Sequence, residues 1–270
     1  MDINVVLIYI RKEIEKIRKE NHMAIIVKDS IFDVLNKKCT VIYYPLPDEK
    51  NRGFHIKKLV GDKLEDFVYI NTDKTVEQQV FTAAHEMGHV CNVFKDIALL
   101  AELDGLEVDL DDEDFEEKVT DRFAAELLMP ETEFKQKTHK YLNSIGAEDY
   151  VLLPDLMKII AELMDDFMAP FNAVRKRLYE IGAISDSVDN YLRENKIKLE
   201  KYIDVIKKDE NSLINSKTSI RMIPGLRDLI NDASSRADVD KGLIEKIKAD
   251  FAVEDIDDLG EKINIKIPRK

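Results

Sequence analysis

Leu7, Ile10, Ile14 and Ile17 recur at helical spacing, so the chain opens on an amphipathic helix, and a second short helix is predicted over residues 29–35. From Thr40 the pattern changes to short β-prone runs, TVIYY (40–44), GFHIKKLV (53–60) and FVYIN (67–71). Pro45, Pro47, Asp48, Asn51 and Gly53 supply turn chemistry between the first two, and a small three-stranded sheet is the simplest arrangement. Thr75 and Gln78 have capping-box spacing, and Val76, Val80, Ala83, Met87, Val90 and Phe94 then mark one face of a single helix. Phe115, Val119, Phe123 and Leu127 resume helical spacing until Pro130 closes the run. Past about residue 140 the pattern is helical and charged, ending in a short β-like run, INIKI (263–267). The expected fold class is α+β: a small sheet and two site-bearing helices, followed by a mostly α-helical C-terminal region. It divides as 1–140, 141–184 and 185–270, without internal repeats.

Composition narrows the function classes. A chain of 270 residues, 44% hydrophobic and 35% charged, can bury one substantial core. Its net charge of -13 opposes phosphate backbones and argues against DNA contact without a local basic patch, whereas a basic protein partner would be attracted. No run approaches the length of a membrane span, and the apolar run Val5 to Ile10 has no cleavage-site pattern after it, so a cytoplasmic protein without membrane contact is expected. Cys39 and Cys91 are then reduced thiols, and Cys91 belongs to packing rather than ligation. Residues 102–117 hold ten acidic residues among sixteen and no basic one, which predicts a solvated loop.

The candidate chemistry sits on the capped helix. His85-Glu86-Met87-Gly88-His89 places two histidines at i and i+4 on one face, as two ligands of one zinc require. Glu86 stands beside His85, where a carboxylate can serve as general base without ligating. The apolar stripe leaves Thr82, His85, Glu86 and His89 on the opposite side, so packing and chemistry do not compete. Gly88 reads as a close-packing glycine. Glu117, opposite the Phe115–Val119–Phe123 face of the next helix, would complete a His, His, Glu set, and Asp121 one turn on would hold the far N–H of one histidine. The alternative is that Glu117 merely ends an acidic loop. Substrate-binding residues are unknown at this level. An oxyanion donor among His139, Tyr141 and Tyr69 stays unranked, and FVYIN could be an edge strand to which an extended substrate adds.

HEMGH followed about thirty residues later by EKVTDRFAAELLMP resembles the ImmA/IrrE family of metallopeptidases. The family pattern falls on Ile70-Asn71, on residues 81–89 and on residues 117–130, with Thr120-Asp121 where the family has Ala-Asn. The resemblance implies a zincin-like minimal metallopeptidase fold, one zinc per chain, a cytoplasmic location and, as in phage and mobile-element members, cleavage of a helix-turn-helix transcriptional repressor by an anti-repressor peptidase. A rival of another class is a non-proteolytic regulatory protein that docks a repressor or toxin partner, its zinc site structural or vestigial.

Residues 154–184 read as helix, short turn, helix, with Arg175, Lys176 and Arg177 on the second helix and Gly182 as its stop. The segment looks like a helix-turn-helix. Three basic residues are meagre for DNA in so acidic a chain, and a packing or partner role is favoured.

Overall fold

The computed structural model describes residues 3–147, 150–207 and 212–253, which fall in two compact units, 1–220 and 221–270. The expected INIKI strand lies outside the described residues.

The first unit begins with α1 (Ile3–Glu20), whose Ile10, Ile14 and Ile17 are buried as the spacing requires, with Val6 buried and Leu7 only half-buried, and α2 (Ser30–Lys38). Three strands follow: β1 (Thr40–Tyr44), β2 (Gly53–Val60) and β3 (Lys63–Asn71), in the order β1-β3-β2, with β1 parallel and β2 antiparallel to β3. The sheet is as expected, but β3 begins four residues earlier than the FVYIN run. Gly61, at φ 60, turns the chain so that Lys63 to Asp66 pair with Val60 to Lys57; three of those four added residues are charged, so they carry no β-prone run. β3 is also the central strand, so the expected substrate edge does not lie on it.

α3 (Val76–Val90) lays Val80, Ala83, Ala84 and Met87, all fully buried, against the sheet and α5. Each such side chain contributes about 1–3 kcal/mol of burial. The helix ends earlier than the apolar stripe indicated: Asn92 adopts a left-handed φ of 52, and Phe94 belongs to a separate helix, α4 (Val93–Leu103). The acidic stretch is likewise not one loop, because its ends are helical in α4 and in α5 (Glu113–Leu128). Asp112 accepts a hydrogen bond from the Phe115 N–H, and Glu113, Asp114 and Glu116 sit in the first turn of α5. The partial positive charge of a helix N-terminus accommodates the repulsion that a solvated loop was expected to relieve.

α6 (Glu131–Ser144), α7 (Leu153–Phe167), α8 (Phe171–Glu180), α9 (Asp186–Glu194) and α10 (Lys196–Lys207) make the rest of the unit mostly helical. α7 and α8 are the expected helix-turn-helix pair, joined through Met168 at φ 48. Arg177 is only 2% exposed. Its guanidinium grips both Glu126 oxygens, at 2.6 and 3.0 Å, and its Nε donates to the Met129 carbonyl. Arg175 is paired with Asp189. The two arginines on which DNA contact would depend are therefore engaged within the fold.

After α10 the chain returns as a strap across the start of α3. The Val76 N–H donates to the Ser216 carbonyl, the Asn215 N–H to the buried Glu77 carboxylate, and the Ser219 N–H to the Thr72 carbonyl. Thr75 is the N-cap residue but makes no capping bond, its hydroxyl donating to Glu77 instead, so the capping box does not form. The strap does part of the capping from a segment remote in sequence.

The second unit holds α11 (Leu226–Ser235) and α12 (Lys241–Asp250), the latter capped by Asp240. Among the described residues no helix is long and apolar enough to cross a membrane.

Candidate metal centre

α3 and α5 meet at Gly88, where an added Cβ would lie 2.7 Å from Thr120 Cγ2 and 3.2 Å from Phe123 Cδ1. This close approach brings His85 and His89 on one helix against Glu117 and Asp121 on the other. The His85 and His89 Nε2 atoms are 3.2 Å apart. Glu117 Oε2 is 3.2 Å from the first and Oε1 3.3 Å from the second. A tetrahedral cation with bonds of about 2.0–2.1 Å needs donor–donor edges of about 3.3 Å. The His85–His89 edge matches, and Glu117 presents one carboxylate oxygen to each nitrogen at the same range.

The outer faces of the rings say which atoms are free to ligate. Asp121 Oδ1 lies 2.9 Å from His85 Nδ1, and Glu116 Oε1 lies 3.3 Å from His89 Nδ1. A carboxylate acceptor at each Nδ1 favours the tautomer that carries its proton there and turns an Nε2 lone pair inward. In that tautomer two lone pairs and a carboxylate converge on one point, an arrangement that suits a cation. The histidine side chains are each 14% exposed and Glu117 60% exposed, so the centre is anchored on a buried helix and open on one side.

The electrostatics follow from that packing. Burial alone would lower the His85 imidazole, but the Asp121 hydrogen bond and the charges of Glu86, Asp121 and Glu117 outweigh it and raise its pKa. His89 goes the other way, lowered by burial and by His85 against the pull of Glu117 and Glu116. Glu86, 5% exposed, is pushed up to about 7 by burial, which the His85 charge opposes and Glu117 reinforces.

A cleft in front of this cluster is lined by Lys50, Arg52, Thr82, His85, Glu86 and Asp121, among others. Gly53 lets β2 pass close by: a Cβ there would come within 2.5 Å of the Tyr69 carbonyl and 2.6 Å of Thr82 Cγ2. Two residues on, His55 stacks on His89, with ring centroids 6.2 Å apart and planes at 11°, and its Nε2 is 2.6 Å from Asp66 Oδ1.

The sequence pattern singled out neither His55 nor Glu116. Strand alternation from Gly53 would have placed His55 on the α3 side of the sheet. Of the oxyanion candidates, Tyr69 donates to the Tyr44 carbonyl and Tyr141 to Asp166, while His139 is exposed on α6. None of the three lines the cleft; Lys50 and Arg52 do.

The family model described as the IrrE N-terminal-like domain, Peptidase_M78, matches residues 36–179, from the end of α2 to the last turn of α8. No curated protein matches the chain. The model spans more than half of the sequence, including both helices of the cluster, and the chain therefore belongs to the Peptidase_M78 (ImmA/IrrE) family of metallopeptidases.

Proposed function

We propose that the protein is a zinc-dependent endopeptidase of zincin-like fold. His85, His89 and Glu117 hold one zinc, Glu86 acts as general base, and Asp121 and Glu116 fix the histidine tautomers. The observation that carries the reading is the convergence of both histidine Nε2 atoms and the Glu117 carboxylate within 3.2–3.3 Å, with the buried Glu86 carboxylate beside His85 in the same cleft. A zinc in such a set supplies Lewis-acid polarisation of a peptide carbonyl and acidifies a water toward pH 7.

The chain's own residues do the rest. Glu86, held on α3 beside His85, takes a proton from the attacking water and returns it to the leaving amine. Asp121 and Glu116 keep each ring in the tautomer that ligates. Lys50 is a cationic donor on the cleft wall, available to the developing oxyanion or the substrate carbonyls. Among the described strands β2 pairs with β3 alone, so its outer edge offers unpaired backbone groups on which an extended substrate can add. That edge takes over the role first considered for β3.

The substrate we propose is a helix-turn-helix transcriptional repressor, cut in the cytoplasm by this protein as an anti-repressor. The support is the family's phage and mobile-element members. The test is incubation of the zinc-loaded protein with the purified repressor encoded beside it, with fragments read by mass spectrometry. Cleavage should fall by about a hundredfold or more in Glu86→Gln. Derepression that survives Glu86→Gln without fragments would overturn catalysis and favour a docking protein with a structural metal.

A further inference from the structure

A second cleft, about 360 Å³, opens next to the first, between α5, α8 and the α9–α10 junction. Arg52, Phe81 and Asp121 line both, so the two form one continuous groove. Seven of its fourteen lining residues are arginine or lysine and two are carboxylates, in a chain of net charge -13. Part of that positive charge is matched within the fold: Arg122 and Arg177 are neutralised by Glu126 and Glu180, and Arg175 by Asp189. Arg52 and Lys176 are exposed, and neither has a carboxylate within 4 Å among the described residues.

Two further features belong to the same wall. Arg175 Nε is buried with no hydrogen-bond partner among the described residues, a cost a folded protein ordinarily avoids. α8 begins in the cleft at Pro170, Asn172 and Ala173 with no side-chain cap, so the positive end of its dipole adjoins the groove.

We propose that this basic extension of the groove is a specificity subsite that binds an acidic side chain, Asp or Glu, of the substrate polypeptide at a fixed distance from the bond that reaches Glu86. The assignment to a polypeptide rather than a free anion rests on the continuity of the groove and on the peptidase reading. Whatever fills the second cleft is then attached to what lies in the first. The negative field of the whole molecule discourages acidic chains in general, so one local basic site selects for register instead of for bulk charge.

The test separates this subsite from catalysis by reading binding alone. Zinc-loaded full-length Glu86→Gln is titrated, by fluorescence anisotropy at low salt, into a fluorescein-labelled hexapeptide with two central glutamates and into its glutamine counterpart. The acidic peptide should bind about tenfold more tightly, and the exposed-site double variant Arg52→Glu, Lys176→Glu should abolish the difference while keeping its circular dichroism spectrum and zinc. Equal affinity for the two peptides, including no binding of either, overturns the proposal. Displacement by inorganic phosphate or free glutamate at lower concentration than by the unlabelled peptide overturns the polypeptide assignment. In a parallel experiment, wild-type protein digests a peptide library. Enrichment of Asp or Glu at one position supports the subsite, and cleavage with no acidic preference overturns it. Absence of products counts against the peptidase reading, while the binding arm still decides the subsite.

Discussion

Gly88→Ala adds one carbon at the point where α3 crosses α5. The new Cβ would sit 2.7 Å from Thr120 Cγ2 and 3.2 Å from Phe123 Cδ1, against a comfortable carbon–carbon contact of about 3.5–4.0 Å. About 0.8 Å or more of separation is needed. Thr120 is poorly placed to give way, because it is buried and its hydroxyl donates 2.9 Å to the Glu116 carbonyl. Overpacking costs about 1–3 kcal/mol, offset by about 1 kcal/mol from replacing a helical glycine. The net loss of about 1 kcal/mol corresponds to about 3 °C in Tm for a unit of this size.

The effect on metal should be larger. His85 and His89 flank Gly88, and Glu117 lies one turn before Thr120, so even half of that displacement opens donor edges of 3.2–3.3 Å well past the roughly 0.2 Å that metal geometry tolerates. Zinc affinity, measured by competition with a chelating dye, should fall about ten- to a hundredfold. Unchanged affinity in a folded Gly88→Ala protein would refute the idea that this glycine sets the spacing of the ligand helices.

Arg177→Ala strands the buried Glu126 carboxylate, and although Arg11 and Arg122 also reach it, urea unfolding should show a loss of about 3–5 kcal/mol; a loss under 1 kcal/mol would contradict the buried-pair assignment. Asp121→Asn keeps the shape but weakens the acceptor at His85 Nδ1, and dye competition should show zinc affinity down about tenfold or more with little change in Tm. The Glu131 carboxyl is held at about 2 by hydrogen bonds from Lys135 and Arg11. Being depressed, it contributes stability above its unfolded value of about 4.3 that is lost as the pH falls through 2. Glu131→Gln should therefore flatten the dependence of Tm on pH between about 4.3 and 2, and an unaltered slope would place the acid sensitivity elsewhere.

What the sequence made legible was whatever depends on short-range pattern. The stripe from Val76 to Met87 specified α3 and left His85, Glu86 and His89 on the other side, and β-branched runs specified the strands. The spacing of Glu117 and Asp121 on one helix face matches where the two carboxylates approach His85. What stayed hidden depends on contacts far apart in the chain. The Ser216 carbonyl at the start of α3 replaces a capping box that local pattern had supplied in full. Glu116 looked like one more acid in a charged stretch, and only the approach of α5 to α3 sets it at His89. His55 reached His89 through sheet order, and that order, with β3 in the centre, is not written in any single strand. The sequence favoured a packing or partner role for the segment that holds Arg175 and Arg177 but could not name their partners, because neither Glu126 nor Asp189 lies near enough in sequence for a local pattern to pair them.

Metal content, measured by elemental analysis of the purified full-length protein after zinc reconstitution, with Glu117→Ala and Glu86→Gln beside it, tests the proposed centre most directly. One zinc per chain is expected in the wild type and in Glu86→Gln, and a zinc site weakened at least tenfold in Glu117→Ala. Wild type that binds no zinc when fully supplied, or a Glu117→Ala protein that binds it as tightly as the wild type, would contradict the three-ligand centre on which the proposed chemistry rests.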